Sequence, residues 1–418
     1  MLYSLPMVFV LAGAALYAVL GGADFGAGFW QLFAGRGEHA ERVREYAHNS
    51  MGPVWEANHV WLVFVLTVFW TSYPKAFGSI ASTLCVALFV AVIGIIFRGA
   101  AYACRPGARS AHELGRVDTI FSLSSILTPF ALGAAIGGIA TNRVPIGNAA
   151  GHLFSSWLNP TSVFIGVLAV VTCAYLAAVY LAADAARDNQ RALEQDFRIR
   201  ALGAGIVAGA LAVGGIFVVN ADRHALFHSL LTGGALPAVV VSFVAGLTTL
   251  DLVFYRRYEP ARYCAALAVA AIIAGWALSR WPMILPGLSI HQAAAGHDTL
   301  VWVTVCVLVG GAILFPSLGL LFRLALTGRF AAAERTQQES AGEDLLAPTT
   351  GPPARAAIAC LIAGCGLLNI ADASWAHAIG VLCLTAFVVF AFGAIIFTAR
   401  EDRPSSPEGE LVSGDAPR

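Results

Sequence analysis

Apolar residues run in stretches of about 20 or more, long enough to cross ~30 Å of hydrocarbon as a helix, and such stretches recur along most of the chain. Eleven are predicted: 3–33, 53–73, 76–102, 117–140, 160–184, 199–220, 225–251, 259–280, 298–323, 355–371 and 375–399. The tenth is the shortest and carries Asn369 and Asp372 at its end. Because the runs are continuous rather than alternating, they select helices over barrel strands. No basic residue precedes the first run, which continues past any cleavage site, so it is expected to remain as a helix. Residues 331–354 read as a cytoplasmic linker and 401–418 as a disordered tail. That gives a membrane body over 1–330 and an added helix pair over 355–400.

Composition strengthens this picture. The 418 residues are 58% apolar and 12% charged, where a soluble surface needs roughly a quarter charged. Lys and Arg number 25, as do Asp and Glu, so a nucleic-acid partner has no electrostatic support. The balance hides a direction, because 21 of the 25 basic residues (all but Lys75, Arg143, Arg223 and Arg280) fall on one side of the alternating spans. The positive-inside rule then places the N-terminus outside and the C-terminus in the cytoplasm. Gly22 and Gly26, Gly133 and Gly137, and Gly205 and Gly209 have the spacing that lets helix backbones approach closely, although glycine is common in membrane helices in any case.

Candidate chemistry is sparse. The eight cysteines form no CxxC pair and read as small apolar fillers. Of ten histidines, His59 alone lies inside a span away from its ends, so the chain by itself is expected to hold no haem between facing imidazoles. Neither a GxxxxGK[ST] nor an HExxH motif is present. What remains is a group of ionisable residues near the N-terminus. Asp24 sits about nine residues, ~14 Å, from the cytoplasmic end of the first span. An acid at that depth costs on the order of 3 kcal/mol, so it should face protein or water. Glu56 and His59 are three residues apart, on one side of the second helix. Buried carboxylates beside an imidazole near one aqueous face suit a proton-entry route. Glu56 and Asp118, at span starts, also suit a simple interaction with the helix dipole. Trp55 and Trp61 fit an interfacial aromatic belt as well as any specific role. Asp251 is expected to pair with Arg256 and Arg257.

LGGADFGAG, a short basic loop, GPVWEANHVWL and IIFRGAAYACR together resemble subunit II of the cytochrome bd-type quinol oxidases. In that family the two motifs usually read L-D-G-F-D-L-G and P-V-W-D-G-N-x-V-W-L. Leu158, Asn159 and Pro160, and later WPMILPGLSIHQAAAGHDTL, are similar to further landmarks in the same order, so the likeness covers about residues 1–330. It implies an all-α polytopic protein of the bacterial inner membrane, with a nine-helix body of two four-helix bundles plus a peripheral helix, here extended by two helices. It also implies a complex that oxidises membrane quinol and reduces dioxygen to water with cytoplasmic protons. Haems b and d are then expected in the partner, subunit I, and no cofactor in this chain alone, although some members hold a quinone as a structural lipid. Carried over, Glu56 matches the family's Asp and becomes the first proton-pathway candidate, with Asp24 and His59 beside it. Trp55, Asn58, Trp61 and Arg98 match positions with structural or interface roles. No catalytic or metal-binding residue is assigned.

Three departures stand out. Gly21 occupies the place of the family's first Asp, Glu56 is one methylene longer than the Asp it replaces, and the helix pair after 354 lies beyond the usual body. That pair is expected to cover a surface that a small single-span subunit covers in relatives. A proton-coupled secondary transporter and a purely structural subunit of a redox complex are the alternatives, but no matched pair of broken helices supports a transporter.

Overall fold

The computed structural model describes residues 2–50, 55–107, 110–326 and 352–370, and, further on, 375–376, 379–380, 382–387 and 390. The chain divides into two compact units, Met1–Leu320 and Leu321–Arg418. By length and composition, eight described helices can cross a membrane, and Asn58–Ser72 and Arg355–Gly364 are shorter apolar helices. The expected eleventh span lies largely outside the described residues.

In the first unit, α1 (Leu5–Leu16) and α2 (Gly22–Leu32) are joined by one π-helical segment, Tyr17–Gly21, so the first span is continuous but locally widened and underwound. Then follow α3 (Glu38–Asn49), an amphipathic helix outside the spans, and α4 (Trp55–Ser72). Where one span was expected over 76–102, there are two helices, α5 (Pro74–Thr83) and α6 (Cys85–Cys104). Hydroxyls account for the short α5. Ser79 and Ser82 donate to the carbonyls of Lys75 and Gly78, and they accept from Gly147 N and Ala149 N, which ties the helix to the loop around residues 147–149.

The next helices are α7 (Ala111–Ala140) and α8 (Pro160–Arg187). Ser110 caps α7 by accepting from Glu113 N, and Asn159 caps α8 by accepting from Ser162 N, with Pro160 at the first helical position. The Leu-Asn-Pro landmark is thus a helix start. Next come α9 (Arg191–Asp222), α10 (His224–Thr232), α11 (Leu236–Phe254) and α12 (Tyr258–Arg280). The run expected at 225–251 is split by Gly233 and Gly234, whose turn chemistry outweighs the apolar pattern. Strands β1 (Met283–Leu285) and β2 (Leu288–Ser289) form a small antiparallel hairpin with Met283 opposite Ser289. Helix α13 (Ile290–Ala293), opened by a Ser289–Gln292 capping box, leads into α14 (His297–Leu326). In the second unit, α15 (Pro352–Ile370) packs on the segment around Leu384, where a Cβ on Gly364 would meet the leucine at 2.8 Å.

Helix α8 is the centre of the first unit, packing against α2, α7, α9 and α12. Its stretch Tyr175–Ala183 is buried apart from Tyr180, and with Val43, Phe197 and Val253 it forms one core at the Arg-rich end. A second core at the other end joins Tyr73, Leu84, Trp157, Leu285 and Ile290. Small residues make the close packing possible. A Cβ on Gly26 would fall 1.8 Å from the Cys173 carbonyl oxygen, and on Gly137 2.5 Å from Ser162 Cα. The expected pairs at 22/26 and 133/137 are therefore helix contacts, while Gly209 faces open space.

Candidate functional site

The site forms where the glycine face of α2 is wedged between α7 and α8. A Cβ on Gly28 would meet Ser125 Oγ on α7 at 2.3 Å, so this glycine sets how near the helices come. Gly94 on α6 has the same relation to Thr128 Oγ1, also 2.3 Å. These approaches bring Asp24 of α2 and Arg98 of α6 together in the interior. Arg98 Nη2 donates to Asp24 Oδ1 at 2.7 Å and to the Asp24 carbonyl at 3.3 Å, while its Nε donates to Ser125 Oγ at 3.0 Å. Ser125 passes its own proton donor to the Phe121 carbonyl at 2.7 Å. The guanidinium faces meet the rings of Phe25 and Phe121 at 5.0 and 4.7 Å. Side-chain exposure is 2% for Arg98 and 4% for Asp24, so the pair is withdrawn from water and its two charges depend on each other.

That geometry changes the reading of Asp24. The sequence presents it as a lone buried acid, but the fold gives it a guanidinium on one oxygen and leaves the other, Oδ2, without a hydrogen-bond partner among the described residues. Arg98, named separately for its motif, is the ion-pair partner.

Polar atoms continue along the first span on both sides of the pair. Gln31, seven residues on and thus on the same helical face, is buried with Nε2 unpartnered among the described residues. Toward the other end, Asn58 is buried and its Nδ2 donates to the Leu20 carbonyl at 3.3 Å, within the π-helical segment. Asn58 Oδ1 and the Tyr17 hydroxyl are also buried without partners among the described residues. The His59 ring lies 6.2 Å from Tyr17 and 6.1 Å from Phe25, both edge-on. Tyr17 stands against Gly21, where a Cβ would be 3.1 Å from the ring, so the family's acid could not be added at this position without moving the tyrosine. A π-segment beside a buried polar cluster is the usual setting of such segments at functional sites.

At the Arg-rich end, His48 of α3 stacks on Tyr102 at 5.1 Å and meets Phe121 edge-on at 6.0 Å. Burial, with smaller effects from Arg105 and Arg98 and an opposing one from Asp118, pushes its pKa down to about 4. Its imidazole is therefore neutral at physiological pH. Nearby, Arg105 Nε donates to Asp118 Oδ1 at 2.8 Å. Asp118 is in the interior of α7, so it is an ion-pair partner rather than a residue of the helix start.

Not every expected residue enters the cluster. Trp61 is buried and stacks on Phe315 at 6.3 Å. Asp251 is exposed, and Arg256 pairs instead with Glu194 at 3.1 Å. The side chains of Trp55 and Glu56 lie outside the described residues, so the first proton-pathway candidate has no geometry to report. Tyr17, Gln31, His48 and Ser125 were not singled out from sequence. The seven-residue spacing of Tyr17, Asp24 and Gln31 carried a signal for two of them. Among the described residues, no three His, Cys, Asp or Glu side chains converge as metal ligands.

The family model for cytochrome bd terminal oxidase subunit II matches residues 2–325. Cytochrome bd ubiquinol oxidase subunit 2 of Bacillus subtilis is 27% identical over 157 residues, covering 37% of this chain and 45% of the relative. Cytochrome bd-I ubiquinol oxidase subunit 2 of Escherichia coli K12 is 26% identical over 181 residues, covering 41% and 46%. The chain thus spans about half the length of the curated relatives it matches. A chain of the bd oxidase structure from Geobacillus thermodenitrificans superposes with a TM-score of 0.62 at 24% identity, over 78% of this chain and 99% of that one, which establishes the fold. With eight described helices able to span a bilayer and a family match over most of its length, this multi-pass bacterial membrane protein belongs to the cytochrome bd terminal oxidase subunit II family.

Proposed function

We propose that the chain is the haem-free second subunit of a terminal oxidase that oxidises membrane quinol and reduces dioxygen to water, and that it supplies a proton route. Family membership supports the subunit reading. The observation that carries the route is the Asp24–Arg98 pair, whose second carboxylate oxygen has no partner among the described residues, set in a line of buried polar atoms. The Arg-rich end is the cytoplasmic side in this reading, following the positive-inside rule.

Every electron reaching dioxygen must be matched by a proton to make water, so a complex buried in lipid needs a polar path inward. Buried polar atoms in proteins are almost always hydrogen-bonded, to protein or to ordered water. Gln31 Nε2, Asp24 Oδ2, Asn58 Oδ1 and the Tyr17 hydroxyl therefore mark positions for internal water in steps along the first span. Arg98 fixes the orientation of Asp24 through Oδ1 and leaves Oδ2 without a partner among the described residues, as an acceptor for such water. Glu56, in the first turn of α4 and two residues before Asn58, would join this line as a further proton carrier. His59 closes the inner end among aromatic rings. Haems held by subunit I would supply the oxygen chemistry, and a quinone held as structural lipid is a further expectation of this reading.

The closed geometry of the Asp24–Arg98 pair also favours one rival, in which the acids serve only to hold helices together. Exchanging Glu56→Gln and Asp24→Asn separately in the assembled complex distinguishes the two. With haem content retained, quinol-dependent oxygen consumption should fall by about tenfold or more in at least one variant. Full turnover in both would leave the scaffold reading standing and remove the proton route.

A further inference from the structure

Outside the polar seam, a cavity of about 300 Å³ opens between α2, α8 and α9, lined by Trp30, Val171, Ala174, Arg200, Gly203 and Val207 among others. Its walls are apolar apart from Arg200. Trp30 is two residues from the end of the first span, and its Nε1 donates to the Ala174 carbonyl at 2.7 Å, which fixes the indole as one wall. Arg200 lies over the faces of Trp30 and Phe197, at 5.3 and 5.4 Å. Those contacts use the faces of the guanidinium and leave its in-plane N–H donors unspent. Nη1 is buried without a hydrogen-bond partner among the described residues.

Neighbouring arginines at this end are satisfied differently. Arg187 pairs with Glu259 and Arg262 with Asp184, while Arg198 donates to the carbonyls of Val253 and Phe254. Asp196, one turn before Arg200, is held by His39 Nε2 at 2.5 Å. Among the described residues Arg200 thus has rings beside it and no carboxylate within ion-pair distance. A planar donor fork at the mouth of an apolar groove matches a group that is anionic at one end and hydrocarbon beyond it. Aromatic and arginine side chains near the end of a span place that mouth at headgroup level.

We infer that this groove is a phospholipid site, with the lipid phosphate on Arg200 and one acyl chain along Gly203 and Val207. Two variants test it by independent means. Arg200→Gln removes the charge, and Gly203→Leu fills the groove, at a position where an added Cβ meets nothing within 4 Å and the helix should fold normally. The purified oxidase complex is titrated with phosphatidylglycerol in maltoside micelles, and bound copies are counted by native mass spectrometry. The wild type should hold one copy that both variants bind about tenfold more weakly, a change of about 1.4 kcal/mol. Inorganic phosphate at millimolar concentration should not displace it. Equal retention in wild type and both variants would overturn the site. Displacement by free phosphate would make it an anion site rather than a lipid site, and co-purification of a quinone in the groove would overturn the headgroup assignment.

Discussion

Two kinds of arginine–acid pair lie toward the same end of this protein, and they do different work. Arg98 and Asp24 meet between α2 and α6 with 2% and 4% of their side chains exposed. Arg187 and Glu259 meet between α8 and α12 at 2.6 Å with 45% and 55% exposed. Both are ion pairs with good contact distances. In the buried pair, neither charge has water to fall back on, so each is conditional on the other. In the exposed pair, water and salt already screen the charges, and holding two long side chains in place offsets most of the attraction. Distance alone would rank them together, whereas burial separates a structural hinge of the site from a surface decoration.

Breaking the buried pair should have the largest effect. Arg98→Leu leaves Asp24 uncompensated among apolar rings, which costs about 3–5 kcal/mol. Thermal unfolding of the complex should shift down by many degrees, or subunit II should be lost from the purified complex. A shift no larger than that of a surface substitution would show that the pair is not mutually dependent.

Next in size is a change in the packing that positions the pair. Gly28→Ala puts a methyl group 2.3 Å from Ser125 Oγ, the acceptor of Arg98 Nε. Overpacking of this kind costs about 1–3 kcal/mol. Adding Ser125→Gly, which removes both the Oγ and the Cβ that lies 2.5 Å from the new methyl, should recover part of the stability, and a double-mutant cycle measures that coupling.

His48 sharpens the contrast through pH. Its pKa falls from the ordinary imidazole value of 6.5 to about 4, so between those values the unfolded chain binds a proton that the folded one does not. The His48 contribution to stability is therefore complete above about pH 6.5 and is lost as pH falls toward 4. Thermal unfolding between pH 7.5 and 4.5 should show a shallower acid decline in His48→Gln than in the wild type. Identical slopes would mean that the imidazole is not buried against Tyr102 as described.

The smallest effect belongs to the exposed pair. Arg187→Gln should change stability by about 0–1 kcal/mol, less at high salt. Denaturant midpoints of the complex in low and high salt check this.

Much of the fold was legible because membrane helices need long apolar runs, and the basic residues report their ends. Leu5–Leu32 and Pro160–Arg187 match the expected runs to within a few residues. Breaks set by hydroxyl and turn chemistry, at Leu84 and at Gly233, were hidden by runs that stay apolar across them. In the site, the depth of Asp24 was visible but its partner was not, since Arg98 is 74 residues away and the contact depends on how α6 meets α2. Tyr17 and Gln31 carried only a spacing, and Ser125 had no local signal at all. No residue pattern in Tyr17–Gly21 announces the π-helical segment.

The central claim is that Asp24 lies on a working proton path rather than in an inert ion pair. The most direct test is proton uptake during a single turnover of the reconstituted oxidase, followed with a pH dye, comparing Asp24→Asn with wild type and with Arg187→Gln as a control. The account predicts that the Asp24 variant, with haem content intact, takes up protons at least about tenfold more slowly, while the control is unchanged. Uptake at the wild-type rate in the Asp24 variant would contradict it.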